Sequence, residues 1–297
     1  MPTLTQRLRR AIARRVVPGA VARATAEPPR ITVTAPDGTA FPVIDEGAGR
    51  PILLLHGGSG TAANVAALAA GLTDRFRVLR LDRRTYRGDP LPAVPADLMA
   101  AEVGDVLAVA DVVDRPLLLV GHSSGAVVAL QCAIAGPDRF AGMLLYEPPV
   151  AVDEPVGGEA LRRAKAALDR GDPDEAMAIH MRDIVHLPPA LVFAFRYFPP
   201  LRNQLRLMTA GQIADDEALE SLGVGLDRYA GIDVPTLLLG GDRSTRHLRD
   251  RLDALADVLP RVDSVVILRG QGHSATVRAP QLVATAIADF ADRVMPA

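Results

Sequence analysis

Leu117-Leu118-Leu119-Val120-Gly121-His122-Ser123-Ser124-Gly125-Ala126 reads as a buried strand that stops at a tight glycine turn and enters a helix. Ser123 is the centre of a G-x-S-x-G pattern. A bend of this kind exposes the serine hydroxyl and aims the next backbone N–H into the same space. Gly121 and Gly125 lack a Cβ, so strand and helix can approach closely around the bend. The small-residue run Ala126-Val127-Val128-Ala129-Leu130 continues as the helix. The stretch is therefore read as a strand–nucleophile–helix elbow.

Other short apolar runs flank it. Ile31–Thr34, Phe41–Ile44, Ile52–Leu55, Val78–Leu81, Met143–Tyr146, Thr236–Leu239 and Val265–Leu268 read as strands, the later ones buried on both faces. Helical patterns fall at 61–71, 97–113, 124–135, 245–258 and 280–293. Early hairpin strands followed by alternating strand and helix predict an α/β fold: a mostly parallel, eight-stranded sheet with helices on both faces. From Val150 to Gly231 no strand is visible. The interval is helical in pattern and punctuated by Pro173, Pro188-Pro189 and Pro199-Pro200. It is read as an inserted helical cap (150–231) on a core of 31–149 and 232–297. Ligands bind at the C-terminal edge of such sheets, where water-excluding lids sit.

Composition narrows the function. The chain has 297 residues, 49% of them hydrophobic, and a formal net charge of −2. That charge predicts no nucleic-acid partner, and no apolar stretch is long enough for stable membrane insertion. The single cysteine, Cys132, cannot form an internal disulfide and is read as a core residue. Residues 1–30 form an Arg-rich arm with Leu4, Leu8, Ile12 and Val16 at helical spacing. The arm lacks the long apolar region of a secretory signal, which predicts a cytoplasmic protein. It is read as an amphipathic element that packs on the body or on a sister subunit, so a homo-oligomer through the arm is an expectation. A membrane-surface helix is the alternative.

Two further loops carry chemistry. His56-Gly57-Gly58-Ser59-Gly60 directly follows a strand. A glycine loop there lets backbone N–H groups face the elbow, and the N–H groups of Gly58 and Ser124 are the expected oxyanion donors. Gly270-Gln271-Gly272-His273-Ser274 follows the last strand. A histidine on a late post-strand loop suits a general base for Ser123. His56 and His122 flank glycine turns and are expected to hydrogen-bond backbone there.

Together these residues resemble the α/β-hydrolase superfamily, including its cap-bearing esterases and lactonases. The resemblance covers about residues 31–297 and rests on His56-Gly57-Gly58, Gly121-His122-Ser123-Ser124-Gly125 and Gly272-His273. The loop Asp82-Arg83-Arg84-Thr85-Tyr86-Arg87-Gly88-Asp89 looks like the family's D-x-R-G-x-G-x-S loop, with Thr85 in place of the first glycine and Pro90 in place of the serine. The family's acid follows the seventh strand in many members, which points to Asp242. In some branches it follows the sixth, which points to Glu147 in Tyr146-Glu147-Pro148-Pro149. Glu147 is preferred, with Asp242 as the alternative.

The resemblance implies a serine hydrolase acting on a small-molecule carboxylic ester or lactone through a Ser123–His273–Glu147 triad. A serine at the elbow argues against dehalogenase and epoxide hydrolase chemistry, where a carboxylate attacks. Neither a metal nor an organic cofactor is called for. Phe193, Tyr197 and Phe198 are expected to line an apolar pocket, with Met181, Leu207 and Met208 as further candidates. Thioester or carbon–carbon bond hydrolysis, a non-hydrolytic cyclisation, or ligand binding without turnover are the alternatives.

Overall fold

The computed structural model describes residues 28–88 and 93–296. Most of the Arg-rich arm, with the expectation of an oligomer built on it, lies outside the described residues, as do Asp89 and Pro90.

Eight strands form one sheet in the order β1-β2-β4-β3-β5-β6-β7-β8. They are β1 (Arg30–Thr34), β2 (Ala40–Glu46), β3 (Arg50–Leu55), β4 (Phe76–Arg80), β5 (Leu117–His122), β6 (Phe140–Tyr146), β7 (Thr236–Gly241) and β8 (Val262–Leu268). β1 and β2 pair antiparallel, and β2 joins β4 antiparallel; the other ladders are parallel. All eight expected strands are present, most of them a residue or two longer than their apolar runs.

The central strands are buried on both sides because their residues divide by parity. Leu53, Leu55, Leu117, Leu119, Met143, Leu145 and Leu238 enter one core. Ile52, Leu54, Leu118, Val120, Leu144, Tyr146, Leu237 and Leu239 enter the other. This is the period-2 alternation of a pleated strand. Helices α2 (Leu98–Asp111), α3 (Ser124–Ala135) and α8 (Arg246–Val258) cover the first face. Helices α1 (Ala66–Ala70) and α10 (Pro280–Val294) cover the second. The expected helix at 61–71 is shorter than read, a 3₁₀ turn at Ala62–Val65 leading into α1. Cys132 is fully buried in the first core.

Between β6 and β7 the described chain is helical: α4 (Gly158–Asp169), α5 (Pro173–Ile179), a π-helical turn at His180–Ile184, α6 (Pro189–Tyr197) and α7 (Pro199–Ser221). Pro173, Pro189 and Pro199 each stand at the first position of a helix, where the missing N–H is no loss. These helices have small cores of their own: Leu161, Ala164, Ile179 and Ile213 in one, Met177, Met181 and Phe195 in the other. α7 presses onto the loop after β4. A Cβ on Gly211 would lie 2.4 Å from the carbonyl oxygen of Thr85. Among the described residues no helix is long and apolar enough to cross a membrane.

Candidate active site

The elbow is built as its glycines require. Ser123 has φ +52°, a left-handed conformation rare for a side-chain-bearing residue. Strain of this kind is kept only where the surroundings impose it. Here the Ser123 N–H donates to the Tyr146 carbonyl at 2.9 Å, and α3 starts at the next residue. A Cβ on Gly121 would stand 2.5 Å from Ala126 Cα, and one on Gly125 would stand 2.4 Å from the His56 carbonyl oxygen. Both contacts are to backbone, so neither could be relieved by a rotamer change.

The two expected donors sit at the same cavity as Ser123. Neither the Gly58 N–H nor the Ser124 N–H has an acceptor among the described residues. Ser124 heads α3, so its N–H has no partner within the helix. Gly58 is packed against Gln212 of α7: an added Cβ would fall 2.4 Å from Gln212 Oε1.

His273 also lines the cavity, on the loop after β8. Its Nδ1 lies 2.7 Å from Glu147 Oε2. Glu147 is completely buried at the tip of β6, with φ +47°. Its N–H donates to Leu239 O, extending the β6–β7 ladder by one bond. Its other oxygen, Oε1, accepts the Gly241 N–H at 2.7 Å. A buried carboxylate needs partners at both oxygens, and this one has them. The His273 loop is further held by Tyr146, whose hydroxyl donates to the Gly272 carbonyl at 2.8 Å. Asp242 is elsewhere: exposed, with Oδ1 accepting the Gly270 N–H at 2.7 Å. No hydrogen bond joins His273 to Ser123 in this structure. Such bonds are often loose before substrate binds and tighten in the complex.

His56 and His122 bond backbone. Nδ1 of His56 donates to Gly57 O at 2.8 Å, and its Nε2 accepts the Arg83 N–H at 2.9 Å. A second proton on that ring would face a donor. His122 Nε2 donates to the His273 carbonyl at 2.8 Å. Burial, aided by Arg83 beside His56 and by His273 beside His122, lowers both from 6.5 to about 3. A histidine kept neutral in the fold loses stability for the protein as pH falls, because the unfolded chain takes the proton first. The window runs from about pH 6.5 down to about pH 3, with a slope of about 1.4 kcal/mol per pH unit for each group. Glu102 opposes one of them in the upper part of that window, since burial raises its carboxyl to about 6. The urea midpoint is therefore expected to fall steadily from pH 7 to pH 5, and less steeply in a His122→Gln variant. A midpoint constant over that range would contradict this.

The rest of the cavity, about 280 Å³, differs from the expectation. Of the proposed aromatics, Phe193 and Tyr197 are 59% and 67% exposed and stack on each other with ring centroids 4.3 Å apart. Phe198 is half-buried at the α6–α7 junction, and none of the three lines the cavity. The reason is helical phase: α6 turns Ala194 and Phe195 inward and leaves 193 and 197, one turn apart, outside. Met181 does line the cavity, together with Met177, Ile184, Val185 and Leu187; Leu207 and Met208 do not. The lining is aliphatic and methionine-rich rather than aromatic.

A linked set of three polar side chains in the cavity, His180, Asp216 and Gln212, has no signal in the sequence. His180, in the π-helical turn, places Nδ1 2.6 Å from Asp216 Oδ2, and Gln212 Nε2 donates to Asp216 Oδ1 at 3.0 Å. π-turns of this kind are common at functional sites. Behind the elbow lies a buried charge network. Arg83 donates to Glu102 Oε2 at 2.5 Å, to Asp215 Oδ1 at 2.5 Å and to Ser124 Oγ at 2.7 Å. Ser124 Oγ in turn donates to Asp215 Oδ2 at 2.7 Å. The loop after β4 and α7 are thus tied to the residue that follows Ser123. Burial pushes Asp215 up, but the Arg83 guanidinium outweighs it and holds the carboxyl below its usual range.

A sequence model of the Alpha/beta hydrolase family matches residues 52–286. The chain belongs to that family. A crystal structure of an alpha/beta hydrolase from Sphaerobacter thermophilus superposes with a TM-score of 0.76 at 30% identity, covering 88% of this chain and 99% of that one. A thermophilic esterase from Thermogutta terrifontis gives 0.71 at 25% identity, covering 90% and 99%. Among curated proteins, the pimeloyl-[acyl-carrier protein] methyl ester esterase of Methylococcus capsulatus is 36% identical over 110 residues, 37% of this chain and 41% of that protein. Lipase LipV of Mycobacterium tuberculosis is 42% identical over 65 residues, 22% and 25%. These curated matches span less than half the length of either relative.

Proposed function

We propose that this hydrolase is a serine esterase that cleaves a small-molecule carboxylic ester or lactone through an acyl-enzyme. The observation that carries the reading is a strained serine on a strand–helix elbow facing one cavity with a histidine whose Nδ1 rests on a buried carboxylate. Esterases among the similar proteins support the same class of reaction.

In this reading Glu147 accepts the Nδ1–H of His273 and leaves Nε2 as the base. His273 takes the Ser123 proton as Oγ attacks the carbonyl carbon. The Gly58 and Ser124 N–H groups, lacking other acceptors, stabilise the oxyanion that forms; one such donor contributes about 2.7–4 kcal/mol to lowering a barrier of this kind. Collapse expels the alcohol, which takes the proton from His273. A water deprotonated by His273 then attacks the acyl-enzyme and frees the acid and Ser123. Residues 150–231 act as a cap on the core of 31–149 and 232–297, and Met177, Met181 and Ile184 favour a fairly apolar substrate portion. Buried, unpaired Cys132 needs no oxidising compartment, which fits a cytoplasmic enzyme.

The test is covalent. A fluorophosphonate is expected to label the protein stoichiometrically at Ser123, as located by peptide mass spectrometry, and to abolish hydrolysis of p-nitrophenyl esters. Ser123→Ala is expected to take no label. A folded parent that neither labels nor turns over any ester or lactone of a broad panel would overturn the reading.

A further inference from the structure

Among the described residues, the buried arginines Arg80, Arg83 and Arg84 are each held by a carboxylate. Arg83, Arg84 and Arg87, all on the loop after β4, pair with Glu102, Asp215 and Asp105, and Arg77 and Arg80 pair with Asp45 and Glu46. Among the described residues, the arginines without a carboxylate in salt-bridge range are exposed, with a single exception, Arg251. Arg251 is half-buried and makes no hydrogen bond to any described residue. Burial alone shifts its guanidinium, downward from the ordinary value, with no carboxylate nearby to counter it.

Its position is informative. His247, Leu248 and Arg251 stand at i, i+1 and i+4 on α8, which puts them on one face, and all three line the cavity that holds Ser123, His273 and Gly58. The carboxylate lining that cavity, Asp216, is committed to His180 and Gln212. Burial, together with the Arg251 cation, drives the His247 imidazole down to about 4, so that ring is neutral near pH 7. The cavity thus presents a cation that pairs with no described carboxylate, among methionine and aliphatic side chains. A desolvated, unpaired cation is unfavourable unless a ligand supplies the counter-charge, and the guanidinium fork matches a carboxylate in a bidentate pair.

We infer that Arg251 is a specificity-determining residue that pairs with a carboxylate on the substrate, so that the preferred substrates are esters bearing a free carboxylate, such as half-esters of dicarboxylic acids. The inference rests on the esterase reading for its reaction, but not for its binding.

The experiment compares kcat/KM for monomethyl succinate, glutarate and adipate with that for neutral methyl esters of matched length. It uses the full chain and its Arg251→Leu and Arg251→Lys variants. The parent is expected to prefer at least one half-ester over its neutral match. Arg251→Leu is expected to erase that preference by about 10–100-fold, chiefly through KM, as for loss of a charged hydrogen-bond partner, and Arg251→Lys to restore part of it. Free glutarate and adipate, titrated by calorimetry, are expected to bind the parent and not Arg251→Leu. A parent that disfavours every half-ester, or a leucine variant that loses neutral and charged esters equally, overturns the inference. Failure of the esterase reading would look different: no ester of either kind is turned over and no fluorophosphonate label appears. The calorimetric comparison then decides the Arg251 question by itself, absence of dicarboxylate binding to the parent counting against it.

Discussion

Glu147→Gln is expected to lower kcat on p-nitrophenyl esters by about 10⁴-fold, while Asp242→Asn stays within about twofold of the parent. The size of the effect follows from the donors around Glu147. One oxygen accepts the Gly241 N–H and the other lies on His273 Nδ1. A carboxylate accepts at both ends. An amide cannot: one of its ends is an NH₂ group, which must face either Gly241 N–H or His273. Facing His273, it forces the proton onto Nε2 and removes the base. Facing Gly241, it opposes a buried backbone donor with another donor. Asp242 is exposed and its Oδ1 serves only to fasten the Gly270 N–H, so an amide oxygen replaces it adequately. Steady-state kinetics on the two purified variants, with circular dichroism to show that each is folded, checks this. Loss of activity in Asp242→Asn with retention in Glu147→Gln would reverse the assignment of the acid.

The second large effect is on stability. Arg83→Met is expected to destabilise the protein by about 3–5 kcal/mol, because it leaves Glu102 and Asp215 buried without their cation. Both carboxylates are at most 3% exposed. In thermal unfolding this corresponds to a fall of roughly 6–20 °C in Tm for a domain of this size. Replacing all three charges, Arg83→Met/Glu102→Leu/Asp215→Leu, is expected to cost less than Arg83→Met alone, since no unpaired charge remains. A single variant within about 1 kcal/mol of the parent, by urea or thermal denaturation, would show that the network is incidental. The network also holds Ser124 Oγ from two sides. Its loss is therefore expected to loosen the donor beside Ser123 along with the fold.

The local signals were strong where one segment carries its own geometry. β5, the elbow and α3 are contiguous, and the demand for glycine at 121 and 125 comes from backbone a few residues away or from the neighbouring strand β3. The same holds for the parity of the buried strands and for the prolines that open α5, α6 and α7. The short α9 (Ala275–Arg278) was missed because a single turn leaves no periodicity to read. Phe193, Tyr197 and Phe198 were misplaced for another reason. A concentration of aromatics says how much apolar surface a segment has, not which face its neighbours cover. In α6 that choice fell to Phe195, packed with Met177 and Met181.

The sequence by itself determined the sheet, the family resemblance, and a serine and a histidine on loops at the C-terminal ends of β5 and β8. Each of these follows from short-range pattern: alternation, capping, and steric room around glycine. Only the tertiary structure decided which carboxylate lies against His273, that Arg83 bridges α7 to the elbow, that His180 rests on Asp216, and that Arg251 faces the cavity without a partner. Those relations join residues far apart in the chain. They depend on how helices seat on the sheet, and hydrogen-bond distance and burial are properties of that seating rather than of spacing along the sequence.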